Sequence, residues 1–280
     1  HSFWLNKFYL HFWVIYGPDY CITIEVVITV MKINQLSTST VHRLKCSQVI
    51  TSISAVVKEL LENSIDASAG QIIVRLESHG LQKIEVQDNG TGILRDEIKL
   101  VALPHYTSKI NCYEDLNNLA TLGFRGEAIY SISCISDLAI STKTCNDDSG
   151  RTYAFDNQGN MKSSDPCHLE QGTIVSVTNL FKRLPVRLQY YKSSHKLESE
   201  LKSIKLLCTQ YGVIHPHIKI MVYHNKHLVW NKPSLSDSKL CLLNCLGSSI
   251  VNSLESHSLH TDNFKLNLNL PKWRSEERRV

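Results

Sequence analysis

Residues 47–68 read Ser47-Gln-Val-Ile-Thr-Ser-Ile-Ser-Ala-Val-Val-Lys-Glu-Leu-Leu-Glu-Asn-Ser-Ile-Asp-Ala-Ser68, and their periodicity decides the architecture. Apolar side chains fall at Val49, Ile50, Ile53, Val56, Val57, Leu60, Leu61 and Ile65, the spacing of an amphipathic helix that turns one stripe to a core. Opposite the stripe, Glu59, Glu62, Asn63 and Asp66 stand at i, i+3, i+4 and i+7. At roughly 100° per residue they fill a polar arc about 100° wide. Taken alone, such an arc reads as a solvated face. It reads as a site only where other polar segments converge on it.

Outward from this helix, Gln71–Glu77 and Lys83–Gln87 alternate apolar and polar residues around His79-Gly80, the pattern of a β hairpin. Short helices are expected over Asp96–Leu103, ended by Pro104, and over Glu114–Leu119, with a further helix over Glu127–Ile135. Strands follow at Asp137–Lys143, Arg151–Asp156 and Thr173–Val177. After Leu184-Pro185 the pattern gives a helix over Lys196–Tyr211 and a hairpin of Ile218–Tyr223 with His227–Trp230. A helix over Ser236–Leu246 and a strand over Phe264–Leu270 complete it. Helices interleaved with mixed strands indicate an α+β sandwich rather than a βαβ array. The domains are expected at 31–185 and 186–272.

The two ends stand outside this scheme. Residues 1–30 are aromatic-rich, but the uncharged run from Phe8 to Pro18 is shorter than the ~18 residues a membrane helix needs. Gly17-Pro18-Asp19 makes a poor signal cleavage site. The segment is read as translated upstream sequence with Met31 as the natural start, and residues 273–280 as an adapter-derived tail. No membrane association is expected. Nine cysteines without a C-x-x-C pair or an accompanying histidine cluster indicate reduced thiols in a cytosolic or nuclear protein. Residues 1–180 carry 14 Lys+Arg against 19 Asp+Glu, whereas residues 181–280 carry 16 against 7. A basic second half suits a polyanion such as DNA, and equally suits a lysine-rich solvated surface.

Two loops complement the polar arc. Asp88-Asn-Gly-Thr-Gly92 ends the hairpin with an acceptor carboxylate and two glycines that let backbone approach a flat ligand. Leu122-Gly-Phe-Arg-Gly126-Glu puts two glycines and an arginine just before a helix, where free N–H groups and the helix dipole favour a phosphate. No P-loop G-x-x-x-x-G-K-[ST] occurs.

In this order and spacing the three segments resemble the GHKL ATPases. Val57-Lys-Glu-Leu-Leu-Glu-Asn-Ser-Ile-Asp66-Ala, Tyr106-Thr-Ser-Lys-Ile110 and Gly123-Phe-Arg-Gly-Glu-Ala128 resemble the MutL family of DNA mismatch-repair ATPases within that superfamily. They disfavour its topoisomerase and chaperone branches, and residues 31–46 are too short for the histidine helix of a sensor kinase. The similarity spans roughly residues 31–272. Ser47-Gln-Val-Ile-Thr-Ser, Lys109-Ile-Asn111 and Val222-Tyr-His-Asn-Lys226 look nearest to the eukaryotic postmeiotic-segregation paralogues.

The resemblance implies a two-layer GHKL ATPase sandwich followed by a truncated ribosomal-protein-like α+β domain. It implies ATP and Mg2+ as cofactors, with Glu59 the general base and Asn63 both nucleotide-binding and the Mg2+ ligand. Asp88 accepts from the adenine amino group, with Gly92 beside the ring. Thr107, Ser108 and Lys109 lie in a lid, Gly123, Phe124, Arg125, Gly126 and Glu127 close on the phosphates, and Thr173 supports Asp88. Glu62 and Asp66 are read as helix-face or supporting residues. The family's lysine that reaches the γ-phosphate from the second domain is expected beyond the end of this sequence, and Lys45-Cys-Ser-Gln-Val-Ile50 replaces a glycine-containing segment that many relatives carry. The implied function is slow ATP hydrolysis that switches dimerisation and DNA engagement in mismatch repair. It is carried out in the nucleus, as a heterodimer with another MutL homologue, on DNA held through its phosphate backbone. The alternative is a nucleotide-sensing scaffold with little or no hydrolysis.

Overall fold

Seven of the nine residues in Cys21–Thr29 are Val, Ile or Thr, side chains that favour extended backbone. In the computed structural model this strand, β2, pairs antiparallel with β1 (Lys7–Ile15), from Lys7 opposite Thr29 to Ile15 opposite Cys21. A hairpin thus lies where no element was expected. The structure describes residues 7–15, 21–29, 35, 37–110, 112, 114–115, 121–123, 126–191, 194–260 and 265–272. Residues 1–41 and 42–280 are two separate compact units.

The helix expected over residues 47–68 is broken into α1 (Thr38–Val49) and α2 (Ile53–Asp66). The cause is Ser52. Its backbone is extended and its hydroxyl accepts from the Ala55 N–H at 3.0 Å, so it caps a new helix rather than continuing the old one. The apolar stripe of α2 is buried as expected, with Ile53, Val56, Val57, Leu60 and Leu61 at most 1% exposed. Each large side chain so buried contributes about 1.5–3 kcal/mol.

The stripe of α2 packs on β3 (Gln71–Glu77) and β4 (Lys83–Asp88), which form the expected hairpin in register from Ile72 opposite Asp88 to Glu77 opposite Lys83. Then come α3 (Ala128–Ile135), β5 (Asp137–Lys143), β6 (Gly150–Phe155), β7 (Met161–Cys167) and β8 (Gly172–Thr178). They are followed by α4 (Pro185–Tyr190), α5 (Ser194–Ile214), β9 (Lys219–His224), β10 (His227–Lys232), α6 (Ser238–Leu246) and α7 (Ser248–Asn252). The hairpin of β11 (Leu254–His260) and β12 (Lys265–Pro271) comes last. One eight-stranded sheet runs β10-β9-β3-β4-β8-β5-β6-β7, antiparallel except for the β3–β9 pair. In β4 and β5 every second residue is buried and those between are half-exposed, as in a sheet covered mainly on one face. This is the α+β fold expected.

Several expectations change. The sheet does not end at residue 186, where a second domain was expected to begin: β9 lies beside β3 in parallel, β10 pairs with β9, and the described residues after β10 add no strand to it. Residues 96–103 form turns rather than a helix, because N–H groups of Glu97, Leu100 and Leu103 bond three residues back, to Leu94, Glu97 and Leu100. Of the helix expected at Glu114–Leu119, residues 116–120 lie outside the described residues. Strand β7 was missed because it is an edge strand with Pro166, half or fully exposed throughout, so no apolar alternation marks it.

Long side chains tie the later segments to the earlier ones. Arg187 Nη1 donates to Ser47 O and Ile50 O at the end of α1, and Arg183 Nη1 to Ser133 O, Cys134 O and Ser136 O at the end of α3. Both satisfy carbonyls that a helix end leaves without partners. Lys232 is 0% exposed, and its three ammonium hydrogens meet His215 O, Pro216 O and Ile218 O at 3.0, 2.6 and 2.5 Å.

Candidate functional site

The alternation that buries Ile84 and Val86 also turns Asp88, the last residue of β4, toward the helices, where it is 8% exposed. Its Oδ1 accepts from Gly90 N at 2.9 Å and Thr173 N at 3.2 Å, and its Oδ2 accepts from Ser64 Oγ at 2.9 Å. Thr173 stands directly opposite Asp88 in the β4–β8 register, so the support it gives comes from its main chain. Its hydroxyl lies 3.3 Å from that of Thr142. Burial pushes the Asp88 carboxyl above the usual carboxylate range, against the opposing pull of these three donors. Gly92 has φ +77°, and a Cβ there would meet Lys143 O at 2.4 Å. Only glycine fits that approach.

The polar arc of α2 divides by partner. Glu62 is buried, accepts from the Tyr211 hydroxyl of α5 and pairs with Lys58 at 2.7 Å. Glu59 keeps 31% of its side chain exposed, with Oε1 3.9 Å from Lys58 Nζ. One turn on, Lys109 Nζ donates to Asn63 Oδ1 at 2.9 Å and to Asp66 Oδ2 at 2.6 Å. Asp66 also accepts from Leu122 N and Gly123 N, at 2.9 and 3.1 Å. Burial and the Glu62 carboxylate both push the Tyr211 phenol upward.

Residues 107–109, expected as a lid, adjoin this arc through Lys109. Thr107 Oγ1 accepts from Lys109 N at 3.2 Å, and Ser108 is exposed. Gly126 has φ +61° and accepts from His105 N at 3.1 Å, while Glu127 Oε1 lies 3.2 Å from His105 Nδ1. Phe124 and Arg125 lie outside the described residues. Asn63, Asp88, Gly92, Lys109, Gly123 and Thr173 are therefore linked to one another or to the shared frame of α2, β4 and β8.

Sequence reasoning missed Ser64, whose hydroxyl holds Asp88, because only the packing of α2 on β4 brings them together. Asp66, read as a helix-face or supporting residue, holds Lys109, Leu122 and Gly123. The residues suit a nucleotide and its metal. A fixed, buried acceptor stands at Asp88, and an amide and a carboxylate oxygen at Asn63 and Asp66 already gather one cationic group, the Lys109 ammonium. Among the described residues no group of three or more His, Cys, Asp or Glu forms a metal cluster, and no helix is long and apolar enough to cross a membrane.

Residues 50–182 match the family model of histidine kinase-, DNA gyrase B- and HSP90-like ATPases. The chain is 45% identical over 240 residues to PMS1 protein homolog 1 of Homo sapiens, covering 85% of this chain and 26% of that protein. It is 38% identical over 204 residues to the DNA mismatch repair protein MutL of Pseudothermotoga lettingae, covering 73% and 36%. The chain thus spans about a quarter to a third of the length of these relatives. Among solved structures, the N-terminal domain of a DNA repair protein superposes with a TM-score of 0.67 at 33% identity, over 78% of this chain and 64% of that one. The Aquifex aeolicus MutL ATPase domain complexed with ADP superposes at 0.59 with 24% identity, over 81% and 80%, a likeness of fold. The polar arc and both glycine loops fall within the region matched to the ATPase family, and the sequence identity extends beyond it on both sides. The chain belongs to the MutL family of DNA mismatch-repair proteins, within the GHKL ATPases.

Proposed function

We propose that this chain binds Mg-ATP between α2, β4 and the segments 105–110 and 121–127, and hydrolyses it slowly to ADP and phosphate. The observation that carries this reading is Asp88: a buried carboxylate held rigid by three donors, with Oδ2 still able to accept another. An adenine amino group supplies that donor, with Gly92 beside the ring. Asn63 is the ligand for Mg2+, a neutral amide oxygen suited to a hard cation. When bound, the metal neutralises charge on the phosphates.

Glu59 is the general base. It takes the proton from a water that attacks the γ-phosphorus as the bond to the β–γ bridging oxygen breaks. Glu62 is unsuited to that task because Tyr211 and Lys58 already occupy its carboxylate. Thr107, Ser108 and Lys109 cover the nucleotide, and Gly123, Phe124, Arg125, Gly126 and Glu127 close on the phosphates.

For the whole protein, ATP binding orders these segments and favours dimerisation with another MutL homologue in the nucleus. Hydrolysis then reverses the shift. DNA is held without sequence reading through the basic residues after 181, and α6, α7 and the β11–β12 hairpin begin a second α+β domain. Calorimetric titration with ATP, with and without Mg2+, tests the site; single-turnover hydrolysis in the presence of the partner tests the chemistry. Metal-dependent binding with turnover is expected. Binding without turnover would make the protein a nucleotide-sensing scaffold, and no binding would remove the reading.

A further inference from the structure

The end of α2 holds more of the loops above it than its sequence suggests. Asp66, with 7% of its side chain exposed, receives the Lys109 ammonium from one segment and the Leu122 and Gly123 N–H groups from another. Four hydrogen bonds from three donors thus converge on the Asn63 and Asp66 side chains within one helical turn. A Cβ at Gly123 would lie 2.8 Å from Lys109 Nζ, the mobile end of a flexible side chain, so an alanine there would press the ammonium aside. Asn63 Oδ1, the oxygen proposed above as the metal ligand, already accepts from that same ammonium at 2.9 Å.

Resting on that role for Asn63, we propose that Asp66 anchors both loop segments and that Lys109 is a displaceable counter-cation which competes with Mg2+ for Asn63. A +1 and a +2 charge gathered on one amide oxygen repel strongly in a partly buried site. Lysine, on a flexible four-carbon stem, is the partner able to leave. Asp66 has independent holds on the second segment through two backbone N–H groups, which a metal at Asn63 does not displace. Metal arrival is therefore transmitted to residues 105–110, through the release of Lys109, while residues 121–123 stay docked. Asp66 and Lys109 are positioning residues in this scheme: they set where the loops rest and how much Mg2+ is needed to move one of them.

Amide hydrogen exchange and metal titration on the intact protein test the two halves separately. Without nucleotide, Asp66→Asn should speed exchange at Leu122 and Gly123 by about 10-fold or more, the loss expected when a charged acceptor becomes neutral. Lys109→Met should leave those two amides protected and loosen only residues 107–110. In ADP binding measured at fixed nucleotide over a Mg2+ series, Lys109→Met should lower the half-saturating Mg2+ concentration several-fold. Gly123→Ala, which crowds the ammonium but keeps both acceptors, should move it the same way. Unchanged protection at Leu122 and Gly123 in folded Asp66→Asn removes the anchor. A Mg2+ midpoint unchanged or raised in both other variants removes the competition. If the unaltered protein fails to bind ADP at any Mg2+ level, the nucleotide-site reading falls, while the exchange arm still decides the anchor.

Discussion

Replacing Asp88 with asparagine tests the adenine contact, and the structure fixes how the new side chain must sit. Asp88 Oδ1 accepts from two backbone N–H groups, those of Gly90 at 2.9 Å and Thr173 at 3.2 Å. Neither donor can turn round, so the single oxygen of an asparagine must face them and its NH2 must take the place of Oδ2. There it meets Ser64 Oγ, now 2.9 Å from Oδ2, a hydroxyl that can rotate from donor to acceptor. The fold is thus conserved, but the NH2 points at the ligand's amino donor. A buried mismatch of this kind costs about 1–3 kcal/mol, or roughly 5- to 150-fold in affinity.

The same substitution has an opposite effect on stability. Burial raises the Asp88 carboxyl above its ordinary value, so folding disfavours its charged form relative to the unfolded chain. The ionised group therefore costs stability above the folded-state value, and that stability returns as pH falls through it toward the unfolded value near ~4. Asp88→Asn should be at least as stable as the parent at neutral pH, with the advantage fading on acidification. Calorimetry with ATP and thermal melts across pH 4–8 read both effects. Unchanged ATP affinity would remove Asp88 from the site. Unfolding of the variant at neutral pH would refute the side-chain orientation deduced here.

Glu59→Ala should lower single-turnover hydrolysis by about 10²–10⁴ while ATP affinity changes little, whereas Asn63→Ala should lower both; loss of binding in folded Glu59→Ala would show that Glu59 is not the base. Lys232→Met leaves three buried or part-buried carbonyls without this donor and should destabilise by about 1–3 kcal/mol, read from the urea midpoint; a midpoint equal to the parent's would mean those carbonyls find other donors. The pair Lys196→Glu and Lys202→Glu should flatten the slope of log affinity for DNA against log salt by about 0.9 per lost phosphate contact. Lys196 already lies 3.6 Å from Glu200 and over the Tyr190 ring, so Lys202 should account for more of the change, and an unaltered slope would leave this face a solvated surface.

What the sequence revealed and what it hid follow from the range of the interactions. The stripe of α2, the β3–β4 hairpin and the alternation that turns Asp88 inward are local patterns of period 3.6 or 2, and they could be read directly. The break at Ser52 is also local, yet the apolar period runs across Val49, Ile50 and Ile53 and masks it. Only the cap, with Ser52 accepting from Ala55 N, decides between one helix and two. By contrast, nothing near Ser64 marks it as a partner of Asp88, 24 residues away, and nothing near Lys232 marks it as the cap of a turn around residue 216. Those depend on packing between elements, and the parallel β3–β9 pair depends on a crossover spanning about half of the chain, from Glu77 to Lys219.

The division of labour along α2 follows from the same long-range contacts. Of the four polar residues on one arc, three are carboxylates that the sequence alone does not tell apart. Packing assigns them different surroundings. The α5 hydroxyl of Tyr211, together with Lys58, occupies Glu62, and a second α5 side chain, Glu200, accepts from Ser54 N at 3.0 Å at the other end of the helix, where a carboxylate suits the positive end of the dipole. The loop segments occupy Asp66. Glu59, with about a third of its side chain exposed, is the carboxylate of the arc with most access to water, as a general base requires, and Asn63 stands one turn further along. Because α5 grips α2 at both Ser54 and Glu62, a shift of α5 moves the polar arc with it.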